Sequence, residues 1–368
     1  MNPTTSQRKP YGLFLSIIAG IFLLQSCVSN LIYRKKHSDS EVVPVAVDDN
    51  NPFYNWPFQT SAEKVWDLIH TDLALNVHFD SSSIDGYATL TLKPHFYSQD
   101  SLVLDAVNME IYEVLTHIEE SKGGVNGSNV FIPPPTRLTF NYRQNKKLVV
   151  YFNETIIANQ PVSIRIQYSA TPGKKDTTWI NTENEAISDD IGMYFINAEG
   201  KNPTKPTQMW TQGEPQSNCH WFPTLDAPNQ KHTQRISITF PGNMQSLSNG
   251  ELKSSVDMYG NNGSHSRTDV WVQNKPHAPY LTMLAVGNWV RVKDSLPWPI
   301  DPNLRKKETL PIEYLVEPQF KDDAKMIFGN TPEMIQFFSQ YTGVKYPWDK
   351  YSQVVVRDFV SGAMENTS

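Results

Sequence analysis

The residues best suited to chemistry lie at the carboxyl end of the chain, where Gly362-Ala363-Met364-Glu365-Asn366 sets a carboxylate among small, apolar and amide side chains. A fixed carboxylate is the group that selects a free amino terminus, because a charge-assisted hydrogen bond to an ammonium is stronger and more directional than a neutral one. Small residues at Gly362 and Ala363 would let a second backbone come close. The plain alternative for so short a segment is a surface loop. A catalytic zinc carried on a helix would require two histidines one turn apart with a glutamate between them, H-E-x-x-H, so that both rings reach one metal. That pattern is absent from the sequence. His117-Ile118-Glu119-Glu120 lacks the second histidine and falls in a strand-rich region, and the other histidines show no ligand spacing.

Two further segments precede the terminal one. Thr211-Gln212-Gly213-Glu214-Pro215 is followed by Trp221-Phe222-Pro223-Thr224-Leu225-Asp226-Ala227-Pro228, and Tyr346-Pro347-Trp348-Asp349-Lys350-Tyr351 stands just ahead of the terminal signature. Together, and in this order, they resemble the Gln-x-Glu-Ala, Phe-Pro-x-x-Asp-x-Pro, Tyr-Pro-x-x-Lys-Tyr and Gly-Ala-Met-Glu-Asn motifs of the zinc aminopeptidases related to aminopeptidase N. The resemblance covers roughly residues 64 to 368. It implies that Gly362, Ala363, Met364, Glu365 and Asn366 form an extended edge strand pairing with substrate by strand addition. Glu365 and Glu214 would then hold the substrate amine, and Gln212 would shape the first specificity pocket. Pro215 stands where alanine is usual, Asn218 near the expected arginine and Ala227 where glutamate is usual, which touches the local packing more than the two acids.

In that family the zinc helix follows shortly after the Gly-Ala-Met-Glu-Asn strand. The resemblance therefore implies a zinc cofactor whose ligands lie beyond Ser368, peptide partners with a free amino terminus, and a longer parent enzyme. The expectation is that this polypeptide itself binds no catalytic zinc and hydrolyses nothing. The other reading is a non-catalytic lipid-anchored β-domain serving as a binding or scaffold module.

At the amino end, Arg8 and Lys9 precede an apolar run from Tyr11 to Leu24, the charge and length of a signal peptide rather than of a membrane span of roughly 20 residues. The run ends Leu23-Leu24-Gln25-Ser26-Cys27, which resembles a bacterial lipobox, with Cys27 as the lipidated first residue of the mature chain. An uncleaved signal anchor followed by Arg34, Lys35 and Lys36 is the alternative. Either places the folded part outside the cytoplasm, in the cell envelope, and the lipobox reading anchors it to a lipid membrane at the outer membrane or periplasmic face. With Cys27 consumed, Cys219 has no disulfide partner and reads as a packing residue. A net charge of -6 without a basic run beyond the signal region argues against nucleic acid as a partner. Hydrophobic residues at 39% and aromatics at 11% exclude a disordered chain and describe a globular core.

The elements that must position the acids are strands. From about Asp72 to Asp294 the period is two, as in Gly86–Leu92, Val162–Tyr168 and Arg235–Phe240, which predicts half-buried antiparallel strands. After Asp294 the pattern predicts a strand over 310–316, a short helix over 320–328, and a helix capped by Thr331 with Pro332 at its first position and ending at Gly343. Met334, Ile335, Phe337, Phe338 and Tyr341 form its apolar stripe, read as core packing. Val354, Val355 and Val356 read as a buried strand. The fold class is mainly β: a large antiparallel β-saddle or sandwich, with the resemblance adding the truncated α+β start of a thermolysin-like domain. The expected division is 1–26 signal peptide, 27–61 tether, 62–295 β-saddle and 296–368 start of the catalytic domain.

Overall fold

Alternation of apolar and polar side chains is built as strands in the computed structural model, which describes residues 63–117, 135–172, 191–214, 216–297 and 309–368. The signal, lipobox and tether expectations fall on residues outside these. In chain order come β1 (Trp66–His78), β2 (Ser83–Pro94), β3 (Gln99–Asp105), β4 (Met109–His117), β5 (Thr139–Arg143), β6 (Lys147–Ile156) and β7 (Val162–Ala170). Shorter β8 (Met193–Ile196) and β9 (Gln208–Thr211) precede β10 (His232–Pro241), β11 (Gln245–Ser248), β12 (Glu251–Tyr259), β13 (His265–His277) and β14 (Leu284–Gly287). The last part holds β15 (Val290–Pro297), β16 (Thr309–Val316), α1 (Ala324–Phe328), α2 (Thr331–Thr342) and β17 (Tyr351–Val354).

A seven-stranded sheet runs β12-β13-β10-β1-β2-β7-β4, beside a three-stranded sheet β3-β6-β5 and a four-stranded sheet β11-β14-β9-β8. The even positions of β2, Ile84, Ala88, Leu90 and Leu92, share a core with Ile164 and Ile166 of β7, Ile236 and Ile238 of β10, and Leu102 and Leu148 from the small sheet. Each such aliphatic side chain contributes about 1.5–3 kcal/mol on burial. The pairing is not antiparallel throughout: β1 runs parallel to β10, from His70 opposite Thr233 to Asn76 opposite Thr239. These two strands pair residues 163 apart in sequence, so no hairpin turn dictates their direction.

A third three-stranded sheet, β15-β16-β17, carries the chain toward the terminal signature. Here several expectations are corrected. The strand near Val354 begins at Tyr351, ends at Val354, and is half-buried rather than buried; Val355 is 43% exposed, as suits a strand with a neighbour on one side only. The region 318–328 splits into a 3₁₀ turn, Pro318–Phe320, and α1. Asn330, not Thr331, is the N-cap of α2, because the Thr331 hydroxyl is directed to Gln353 Oε1 at 3.2 Å. The apolar stripe of α2 is not core: Ile335 alone is buried, whereas Met334, Phe337, Phe338 and Tyr341 are each more than half exposed. Phe337 instead meets its helix neighbours Phe338 and Tyr341, with ring centroids 5.4 and 5.9 Å away.

Candidate functional site

Strand β9 is buried along its whole length, and successive even positions on one strand face point the same way. Gln208, Trp210 and Gln212 use that shared face to hold the chain that leads into the terminal signature. The Arg357 backbone N–H donates to Gln208 Oε1 at 3.0 Å, and Trp210 Nε1 donates to the Arg357 carbonyl at 3.1 Å. Gln212 Nε2 then reaches the sulfur of Met364 at 3.4 Å. Trp210 is itself sandwiched, stacked on Tyr194 with ring centroids 4.2 Å apart and meeting Phe359 at 5.1 Å. Outside this face, Lys205 Nζ binds both oxygens of Asp358 at 2.7 and 2.9 Å, with both side chains largely buried. Arg357 forks onto Glu317 at 2.5 and 2.8 Å, each charge satisfied by two bonds in the way that suits a guanidinium–carboxylate pair.

The loop after β9 places Glu214. Gly213 accepts from the backbone N–H groups of Gln216 and Ser217, both at 2.9 Å, making a tight turn. A Cβ at Gly213 would come within 2.4 Å of the Tyr280 carbonyl oxygen, so the approach requires glycine. Asn218, near the expected arginine, is fully buried: it donates to the carbonyls of Pro279 and Thr282 at 2.7 and 3.1 Å and accepts from Trp221 Nε1 at 2.7 Å. Its side chain thereby ties this loop to the 279–282 segment. Cys219 is buried, as expected of a packing residue, with Sγ near the Gln216 carbonyl at 3.4 Å.

Of the residues expected to bind substrate, Gln212 and Met364 touch, while Glu214, Gly362, Ala363 and Glu365 are exposed and Asn366 is half-buried. A Cβ on Gly362 would meet no atom within 4 Å, so a second backbone has room there. The expected edge strand is not formed: the last ladder-like bond is Val355 N–H to the Leu315 carbonyl at 3.0 Å, and residues 363–368 take no regular structure. Cys27 lies outside the described residues. Gln212 Oε1 and Asn366 Oδ1 are buried acceptors without a hydrogen-bond partner among the described residues. Such oxygens are costly unless something donates to them.

Tyr346 and Lys350 of the Tyr346–Tyr351 motif, with Asn249, which sequence reasoning had not singled out, secure the last two positions. The Tyr346 hydroxyl donates to the Ser368 carbonyl at 2.8 Å, and Lys350 Nζ donates to the Ser368 hydroxyl. Lys350 is buried over the Trp271 ring, 5.4 Å from its centroid. Burial lowers its pKa to about 7, with Glu313 opposing the shift and Arg291 adding to it. Asn249 donates to the Thr367 carbonyl from the β-domain side. The Asn249-Gly250 pair is a turn signal between two strand patterns, but nothing local marks the bond to Thr367. No group of three or more His, Cys, Asp or Glu side chains gathers among the described residues, and no H-E-x-x-H is present, so the residues in hand do not fit a catalytic zinc.

Comparison with known proteins matches the Peptidase M1 N-terminal domain to residues 68–281 and the Peptidase family M1 domain to residues 326–368. Glutamyl aminopeptidase of Rattus norvegicus is 22% identical over 337 residues, which is 89% of this chain and 30% of that protein. Aminopeptidase 2 of Candida albicans is 24% identical over 303 residues, 81% of this chain and 27% of that protein. The chain thus spans about 30% of the length of the first of these curated relatives. Among solved structures, Legionella pneumophila aminopeptidase A in complex with aspartic acid aligns with a TM-score of 0.61 and 19% identity, over 83% of this chain and 30% of that one. A two-domain M1 zinc metallopeptidase bound to L-tryptophan aligns with a TM-score of 0.58 and 17% identity, over 81% of this chain and 58% of that one. At these identities the structures speak to the fold alone.

Proposed function

The chain belongs to the peptidase M1 family, and on that premise we propose that it is the amine-recognising part of a zinc-dependent aminopeptidase that removes amino-terminal residues from peptides. Glu214 and Glu365 hold the substrate ammonium, Gln212 shapes the pocket for the first side chain, and Gly362 to Asn366 lie along the peptide. The observation that carries this reading is the contact of Gln212 with Met364 at 3.4 Å, which brings together two acidic motifs separated by about 150 residues of sequence.

The chemistry follows from charge. Two carboxylates around one ammonium fix its position by ionic hydrogen bonds worth about 1.5–3 kcal/mol each when water is scarce. An acylated amino terminus carries no charge and leaves the acids unpaired, so the register is counted from the free end. Both acids are exposed here, where solvent screens such bonds to about 1 kcal/mol or less. Full strength requires walls that exclude water, which the described residues do not supply around either acid. Zinc would furnish the Lewis acid of the whole enzyme; no three His, Cys, Asp or Glu side chains gather among the described residues to hold it, and the reading therefore takes the 368 residues alone as inactive. The same reading takes 62–295 as the β-saddle and 296–368 as the opening of the catalytic domain, with Cys27 lipidated and the protein held on the cell envelope by that lipid.

The test is hydrolysis of an aminoacyl p-nitroanilide and of its N-acetyl form by the protein expressed from its whole gene, with zinc removed by chelation and then restored. Cleavage of the free-amine substrate alone, lost on chelation and regained with zinc, is the expected result. Absence of hydrolysis with zinc present would leave the β-domain as a non-catalytic, lipid-anchored binding or scaffold module.

A further inference from the structure

We propose that Asn249 is a positioning residue for the amine-binding segment, acting through the backbone of Thr367 to set the place of Glu365; this rests on the aminopeptidase reading. Asn249 is fully buried in the turn between β11 and β12. The turn is fixed by Gly250, whose φ of 74° and whose Cβ position, 2.0 Å from the Val272 carbonyl oxygen, admit only glycine. Every hydrogen-bonding position of the Asn249 amide is used. Its Oδ1 accepts from Met283 N–H at 2.8 Å and from Gln234 Nε2 at 2.9 Å, and its Nδ2 donates to the Leu281 carbonyl at 2.9 Å and to the Thr367 carbonyl. A flipped amide would turn its oxygen toward two carbonyls, so the orientation is unambiguous. Gln234 is held in turn, since its Oε1 receives His277 Nε2 and the Thr282 hydroxyl, both at 3.0 Å.

A continuous buried network therefore runs from the β-domain to the terminal signature. Gln212 holds that segment at Met364 and Asn249 holds it at Thr367. Glu365 lies between the two fastenings and is itself exposed. Its carboxylate can serve as a fixed reference for an ammonium only if the backbone on both sides is immobile, and errors of about 1 Å in such placement are expensive.

Asn249→Asp is nearly isosteric and replaces the donor facing Thr367 with an acceptor. In the 368-residue chain, the NMR backbone order parameters of residues 365–368 should fall from the rigid range to below about 0.6 while those of β1 and β2 stay at about 0.85; unchanged order parameters at 365–368 would overturn the proposal. In the enzyme expressed from its whole gene, KM for a free-amine substrate should rise about tenfold with kcat within about twofold. A lowered kcat at unchanged KM would mean a merely structural residue, and unchanged values of both would also overturn the role. Should wild type prove to have no aminopeptidase activity, the functional reading fails, and the order parameters still decide whether Asn249 fastens the segment. If Asn249→Asp does not fold, Asn249→Ala, which leaves room for water, carries the same two readings.

Discussion

Gln212 donates its side-chain amide to the sulfur of Met364 at 3.4 Å, and this contact joins the loop that carries Glu214 to the segment that carries Glu365. A thioether is a weak acceptor, so the contact owes its place to the framework on either side. Gln208 and Trp210 hold Arg357, and the Gln212 backbone N–H donates to the Gly192 carbonyl at 2.9 Å.

Replacing Gln212 with Leu keeps the volume and that backbone bond but removes the donor. Unfolding free energy should change by about 1 kcal/mol or less, while the backbone order parameters across 364–366 fall. Urea titration and NMR relaxation measured on the same variant separate the two effects.

Lys205 and Asp358 form a largely buried pair at 2.7 Å, and Asp358 occupies the left-handed region at φ 56°. Asp358→Asn keeps a residue that tolerates this backbone and loses only the charge, whereas Asp358→Val loses both. The valine variant should be the less stable by about 1–2 kcal/mol, read as a difference in urea midpoint at unchanged m-value. Equal stabilities would show that the left-handed backbone at this position carries no strain for a branched side chain.

Two buried histidines make the fold sensitive to acid. Burial lowers His232 to about 4, opposed by the Gln230 carbonyl, and lowers His277 to about 3, with His232 adding to the shift. Both folded-state values lie below the ordinary 6.5, so the unfolded chain binds more protons between that pH and the folded values, and stability falls as pH drops through the window. Each histidine contributes a slope of about 1.4 kcal/mol per pH unit. In His277→Gln the slope of unfolding free energy between about pH 6 and pH 4.5 should be shallower than wild type by that amount. An identical slope would mean that His277 is already protonated in the folded protein.

The long sheet was legible because period-two alternation reports a local fact, which face of a strand is buried. Ile84, Leu90, Ile164 and Ile238 all lie where that alternation puts them. The parallel pairing of β1 with β10 was not legible, since it joins Leu73 to Ile236 across intervening strands. Local rules misplaced the cap of α2 because a long-range partner, Gln353, takes the Thr331 hydroxyl. The stripe of Phe337, Phe338 and Tyr341 has helical spacing and stands exposed; amphipathicity records that a face seeks cover without saying what covers it. At the candidate site, the motif residues Gln212 and Met364 were visible in sequence. Asn249 was hidden, because its partners Leu281, Met283 and Thr367 are remote along the chain.

The most direct measurement is the ratio of kcat/KM between wild type and Glu365→Ala for a free-amine aminoacyl substrate, using the enzyme expressed from its whole gene. Loss of one ionic hydrogen bond to the substrate ammonium in a water-poor site predicts a fall of about 2–4 kcal/mol, roughly 30- to 800-fold. Unchanged kinetics in that variant would contradict the assignment of Glu365 as an amine anchor, and with it the account of how the two acidic motifs work together.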